Sequence, residues 1–198
     1  MTADRLATAE DLASVLKQDF DALDTATIVL GIEISTAVVQ AACGGRRIVR
    51  VVDDSEEVWG GTDSVLRLKN APIVSITSVT YNSSTLTQGT ASGTWRRAKY
   101  GVWRDLGWTE CSWEPLPTTV VYTHGYAPGD QALQLARGMV IDLTRGLFVN
   151  PSGVIIREQI DDYSVAYAEA SAALDASPSR KALLRKQYGP KARMVSAF

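Results

Sequence analysis

Along the first 43 residues the apolar positions recur at helical spacing. Thr8 with Asp11 three residues later forms a capping-box pattern, and Leu12, Val15, Leu16, Phe20 and Leu23 follow on one stripe, which predicts an amphipathic helix. Asp24 and Thr25 offer a second N-cap, after which positions 28–42 are apolar on nearly every side until Gly44-Gly45 stops the run. Its β-branched residues leave this segment open to a strand reading. Its length and the glycine stop favour a helix, and apolarity all round implies burial by a neighbour as well as by its own domain.

From residue 46 the pattern changes to short β-rich runs at 48–52, 65–68, 74–81 and 118–123, separated by Gly, Asn, Asp and Pro. They predict a small antiparallel sheet or sandwich. Tyr81-Asn82-Ser83-Ser84 reads as a hairpin tip and 85–93 as a mobile loop. At Asp130, a candidate N-cap, helical spacing returns: Leu133, Ala136, Val140, Leu143 and Leu147 share a stripe that Asn150-Pro151 ends. Residues 154–167 read as a loop and a short strand in which Tyr163, Val165 and Tyr167 alternate with Ser164 and Ala166. Ser177-Pro178 opens a last helix, Gly189-Pro190 closes it, and 191–198 is not expected to fold alone. The expected fold class is α+β. A helical hairpin at 1–45 packs with C-terminal helices, a short strand and a basic tail at 127–198, and a small antiparallel β-domain is inserted at 46–126.

With 198 residues, 45% hydrophobic and 21% charged, the chain has enough apolar material for one or two cores without staples. Cys43 and Cys111 lie far apart with no CxxC spacing, which fits a reducing compartment and packing roles. The net charge of −2 argues against a whole-surface nucleic-acid binder. No apolar run is read as approaching the ~18 residues of a membrane span. The first twelve residues carry both charge signs and no apolar h-region, so the expectation is a soluble product made in the cytoplasm. Charge is distributed unevenly. Residues 1–43 hold seven acidic and two basic side chains, and 178–198 hold six basic and no acidic ones. The two ends are candidates for complementary surfaces on other subunits, against the plainer reading of a solvated helix face and a frayed tail.

Candidate chemistry is sparse, and neither an enzyme nor a cofactor or metal is expected. His124 is the only histidine, with no G-x-S-x-G motif near it, and reads as a hydrogen-bonded structural residue at a strand end. The cluster Asp53, Asp54, Glu56 and Glu57 lacks calcium-loop spacing and reads as a solvated turn. Adjacent Asp161 and Asp162 on extended chain point to opposite faces and do not converge on one substrate. Gly44-Gly45-Arg46-Arg47 lacks the P-loop pattern and reads as a helix stop. All five tryptophans, Trp59, Trp95, Trp103, Trp108 and Trp113, fall in the β-rich block. They are candidates for stacking on sugars or bases, although core filling is the commoner use.

Four segments carry a likeness to a known family: Leu6-Ala7-Thr8-Ala9-Glu10-Asp11-Leu12; Leu68-Lys69-Asn70-Ala71-Pro72-Ile73-Val74-Ser75-Ile76-Thr77-Ser78-Val79; Val121-Tyr122-Thr123-His124-Gly125-Tyr126; and Ile160-Asp161-Asp162-Tyr163-Ser164-Val165-Ala166-Tyr167. In this order and spacing the chain resembles, over nearly its whole length, the head-to-tail connector (adaptor) proteins of tailed bacteriophages, particularly those of long-tailed phages of actinobacteria. The resemblance implies a helical connector core with an inserted β-domain, in a non-enzymatic virion protein of the phage neck. Members form a ring of twelve under the portal protein, extend the DNA channel and present the docking surface for the next neck (stopper) or tail protein. A channel that lets double-stranded DNA slide is expected to make only sparse, non-specific phosphate contacts, because tight binding would hinder passage. The family's C-terminal segment engages the portal, which implies that role for Arg185, Lys186, Lys191, Arg193, Met194 and Phe198. The Trp-rich stretch 95–113 departs from the barest members. A ring needs two different complementary patches per subunit, and Ile28, Val29, Ile32 and Val39 are expected to include positions that pack against a neighbouring copy. The competing reading is a carbohydrate- or peptide-binding β-domain that uses exposed tryptophans, with no membrane involved in either case.

Overall fold

The computed structural model describes residues 5–17, 22–60, 63–111, 114–115, 117–148, 172–175 and 177–190. The protein mixes helices with antiparallel sheets and divides into two compact units, Met1–Arg46 with Pro128–Phe198, and Arg47–Ala127.

The first unit is helical: α1 (Ala9–Leu16), α2 (Ala22–Ala42), α3 (Gln134–Phe148, entered through a 3-10 turn at Gln131–Leu133) and α4 (Pro178–Tyr188). The Thr8 capping box forms. The Asp11 N–H donates to the Thr8 hydroxyl at 3.3 Å, and the Thr8 N–H donates to the Asp11 carboxylate at 2.9 Å. The stripe that runs from Leu12 to Leu23 belongs to two helices, not one. Lys17 adopts the left-handed conformation (φ 54) and closes α1, which leaves Val15 53% exposed, and α2 is under way at Ala22, ahead of the Asp24-Thr25 cap. Periodicity registers spacing and does not sense a turn that falls between two turns of helix.

On α3 the predicted stripe is real. Ala136, Val140 and Leu143 are buried along with Leu133 and Met139, and Asp130 caps the entry by accepting from the Ala132 N–H at 2.9 Å. Between α2 and α3 the Thr144 hydroxyl donates to the Val140 carbonyl at 2.8 Å and accepts from the Ser35 hydroxyl at 3.1 Å, which satisfies two fully buried hydroxyls. The segment Thr25–Ala42 of α2 is long and apolar enough to cross a membrane by length and composition, so the expectation that no run approaches that length is corrected. Half of it is buried inside the protein, as befits a core helix. Leu184 and Tyr188 anchor α4, and the Arg46 guanidinium donates to the Gly189 carbonyl at 3.2 Å.

The second unit carries β1 (Val51–Trp59), β2 (Val65–Arg67), β3 (Ile73–Tyr81), β4 (Ser84–Thr85), β5 (Trp95–Ala98), β6 (Gly101–Arg104), β7 (Thr109–Cys111), β8 (Glu114–Pro115) and β9 (Pro117–His124). They form sheets in the orders β1-β9-β3-β4, β2-β6-β5 and β7-β8, all paired antiparallel. The core between the first two sheets contains Leu66, Val79, Tyr81, Trp95, Val102, Trp108, Val120 and Tyr122. The predicted run 48–52 is displaced. Ile48 and Val49 are buried ahead of the strand, which starts at Val51 and continues through the acidic cluster.

The hairpin tip is as expected. Asn82 and Ser83 both take positive φ (45 and 64), the demand of a two-residue turn between twisted strands. Segment 85–93 is tied down at Leu86, whose N–H donates to Val79 at 2.8 Å and whose carbonyl accepts the Trp95 indole N–H at 3.1 Å. At Gly125 (φ +85) a Cβ would lie 2.3 Å from the Val49 carbonyl oxygen, so only glycine permits the close return of chain after β9. The strand expected within 154–167, the Asn150-Pro151 stop and the tail 191–198 lie outside the described residues.

Candidate functional site

The acidic cluster is not a solvated turn. It lies on β1, where side chains alternate between the two faces of the sheet. Asp54 and Glu56 point inward, and each meets a polar group on β9. His124, fully buried, donates Nε2–H to Asp54 Oδ2 at 2.9 Å, because a carboxylate offers only lone pairs. Arg47 lies 3.7 Å from the other Asp54 oxygen. The Tyr122 hydroxyl donates to Glu56, which also accepts the Lys69 N–H at 2.9 Å. Burial, reinforced by the Glu56 carboxylate, raises the Tyr122 pKa and keeps the phenol protonated.

This cluster is built to hold the sheet. His124 Nδ1 has no hydrogen-bond partner among the described residues, so none of them couples a nucleophile to the ring, and the side chain itself has 0% exposure. Among the described residues no group of three potential ligands converges on a metal position. Cys43 is a buried free thiol whose pKa burial raises to about 11, against a smaller lowering by Arg46. Asp161 and Asp162 lie outside the described residues.

The tryptophans divide by position. Trp95 and Trp108 fill the core, Trp108 donating its indole N–H to the Ser64 carbonyl at 3.1 Å. Trp103 is half-buried beneath the Arg96 guanidinium, 4.1 Å from the ring centre, and Trp59 is 59% exposed. Trp113 lies outside the described residues.

The residues expected at a subunit interface fare unevenly. Ile28, Ile32 and Val39 are buried by this chain's own fold, Ile32 to 1% exposure, so they have no surface left for a neighbour; they hold α2 to its own unit. The reason is that α2 packs against α1, α3 and α4, so its wide apolar surface is consumed internally. Val29 is half-buried. Of the residues expected at the portal, Arg185 and Lys186 stand exposed on the last turn of α4, and Lys191, Arg193, Met194 and Phe198 lie outside the described residues. Part of the basic charge is met within the unit, Arg180 by Asp142 at 3.1 Å and Lys181 by Asp175. Likewise Glu33 pairs with Arg5 at 2.7 Å, and Asp11 receives two bonds from Arg137.

A second charge division, masked by the stronger contrast between the chain ends, lies within the β-rich block. No Asp or Glu lies from 64 to 104, which hold Arg67, Lys69, Arg96, Arg97, Lys99 and Arg104, whereas 51–59 hold four carboxylates and no Lys or Arg. That contrast was the available signal. Register then sorts the side chains. Trp103 lies opposite Arg96 and Val65, and Gly101 opposite Ala98 and Arg67. Directly opposed residues share a face, so Arg67, Arg96 and Trp103 occupy the side away from Leu66 and Val102. In the other sheet Ser55, Glu57 and Trp59 lie opposite Val121, Thr119 and Pro117, away from Val79 and Val120.

No family model matches this chain, and no curated protein matches it.

Proposed function

We propose that this protein is a structural head-to-tail adaptor of a tailed phage, without enzymatic activity. In this reading twelve copies form a ring at the virion neck, bound to the portal above and to a stopper or tail protein below, around a channel through which double-stranded DNA passes. One observation carries it. Both ends of the chain build one helical unit, with α2 packed against α1, α3 and α4, and a separate antiparallel unit is inserted between α2 and α3. This is the order of parts that the resemblance to phage connectors implies, and the buried, substrate-inaccessible His124 is in keeping with a non-catalytic role.

The test is assembly. Mixed with portal rings, the full chain is expected to add a ring of about twelve times its 21.4 kDa mass, visible by light scattering and negative-stain imaging. A stable closed dimer indifferent to portals would overturn the proposal. A second reading, a carbohydrate-binding β-unit, is favoured by Trp59 alone. It predicts that glycans quench the exposed fraction of tryptophan emission and that Trp59→Ala abolishes the quenching.

A further inference from the structure

The β-unit is bipolar. Its two main sheets turn their inner faces to a shared core and their outer faces to solvent, and the outer faces differ in sign. Arg67, Arg96 and, at the β5–β6 tip, Lys99 and Tyr100 are exposed on one. Asp53, Ser55, Glu57 and Trp59 are exposed on the other. The remaining cations of β5 and β6 are engaged elsewhere. Arg97 donates to the Val74 carbonyl at 2.5 Å, and Arg104 lies 4.7 Å over the Tyr81 ring. Among the described residues no carboxylate pairs with Arg67, Arg96 or Lys99, and no Lys or Arg pairs with Asp53 or Glu57; Asp53 accepts only the Thr77 hydroxyl, at 2.6 Å, and a Thr123 hydroxyl lies 3.4 Å from its N–H.

We propose that these two faces are the halves of one heterologous interface, through which the β-units of successive copies of this chain pack head to tail. The inference rests on the ring reading and says which surfaces would close the ring. Two physical points select a second copy as the occupant. First, each face lacks what the other supplies: the uncompensated cations Arg67 and Arg96 beside half-buried Trp103 meet the uncompensated carboxylates Asp53 and Glu57 on the strand that ends in exposed Trp59. Second, the sign pattern rejects the commonest alternative geometry. A two-fold dimer would lay cation on cation or carboxylate on carboxylate, whereas a head-to-tail contact opposes the signs at every step and repeats until it closes. A nucleic-acid backbone would use the basic face and leave the acidic one repelled.

The experiment uses the full chain in two charge-reversed forms, Asp53→Lys with Glu57→Lys, and Arg67→Glu with Arg96→Glu. Each form has two faces of like sign and is expected to remain dispersed at low salt. Mixed in equal amounts they restore opposite signs at every contact, and the weight-average mass is expected to rise at least about twofold over either alone and to fall again at high salt. Circular dichroism of each variant checks that these exposed substitutions leave the fold intact. A folded pair whose mixture is no heavier than its components overturns the proposal, and so does an Arg67/Arg96 variant that self-associates as the natural chain does. A labelled DNA duplex bound by the natural chain and lost in that variant, with no gain on mixing, would assign the basic face to nucleic acid instead. Portal binding is read separately. Rings on portals that survive both reversals sink the interface and keep the adaptor reading, whereas gain on mixing without any portal binding does the reverse.

Discussion

At the scale of single residues, the burial of polar groups decides what holds the β-unit. His124 has no exposure and, among the described residues, one side-chain hydrogen bond, to Asp54, so its removal leaves a cavity and a carboxylate that keeps Arg47 at 3.7 Å. His124→Ala is expected to destabilise the β-unit by about 3 kcal/mol, read from guanidinium unfolding followed by tryptophan emission. A loss under about 0.5 kcal/mol would show that the pair is not structural. Cys43 behaves oppositely to a reactive thiol. With its pKa raised to about 11 by burial, it stays protonated at neutral pH. Alkylation mapped by mass spectrometry is expected to leave Cys43 unmodified in the native protein and to modify it on unfolding.

At the scale of elements, α1 is too short to be stable alone and depends on its cap and its docking. Asp11 serves both, accepting the Thr8 N–H and two bonds from Arg137 on α3. Burial alone would raise its pKa, but the Arg137 and Thr8 hydrogen bonds outweigh burial together and hold it below the ordinary value of 3.8. A folded-state pKa below the unfolded one means that the stabilisation is complete above about pH 4 and is lost as pH falls through the lowered value. Asp11→Asn is therefore expected to cost about 1 kcal/mol at neutral pH, and the gap from the natural chain to close in acid. A gap unchanged between pH 7 and pH 2 would contradict this. Gly101 makes a comparable point for β6. A Cβ there would lie 1.9 Å from the Leu66 carbonyl oxygen, so Gly101→Ala is expected to push β2 away and lower the unfolding midpoint.

At the scale of the whole molecule, the C-terminal end of α4 is anchored within the helical unit. Leu184 and Tyr188 are buried, and Arg46 holds the Gly189 carbonyl. Removal of residues 191–198 is therefore expected to leave the melting temperature within about 1 °C while portal binding is lost; unaltered binding would refute a portal role for Lys191, Arg193, Met194 and Phe198. The features legible in the sequence are those fixed by neighbours along the chain: the Thr8–Asp11 box, the Asp130 cap, the α3 stripe, the Asn82-Ser83 turn and the glycine stop after α2. Each is a contact between residues a few positions apart, and local spacing encodes it. What only the tertiary structure decided depends on partners far away in sequence. Asp54 and Glu56 became interior groups because His124 and Tyr122, 70 and 66 residues on, stand across the ladder from them. Ile28, Ile32 and Val39 were claimed by the chain's own core, and the tryptophans were divided between core and surface by which strand faces which. Periodicity assigns a residue to a face, but whether that face meets protein or water is settled by the packing of distant segments, and no local pattern contains it.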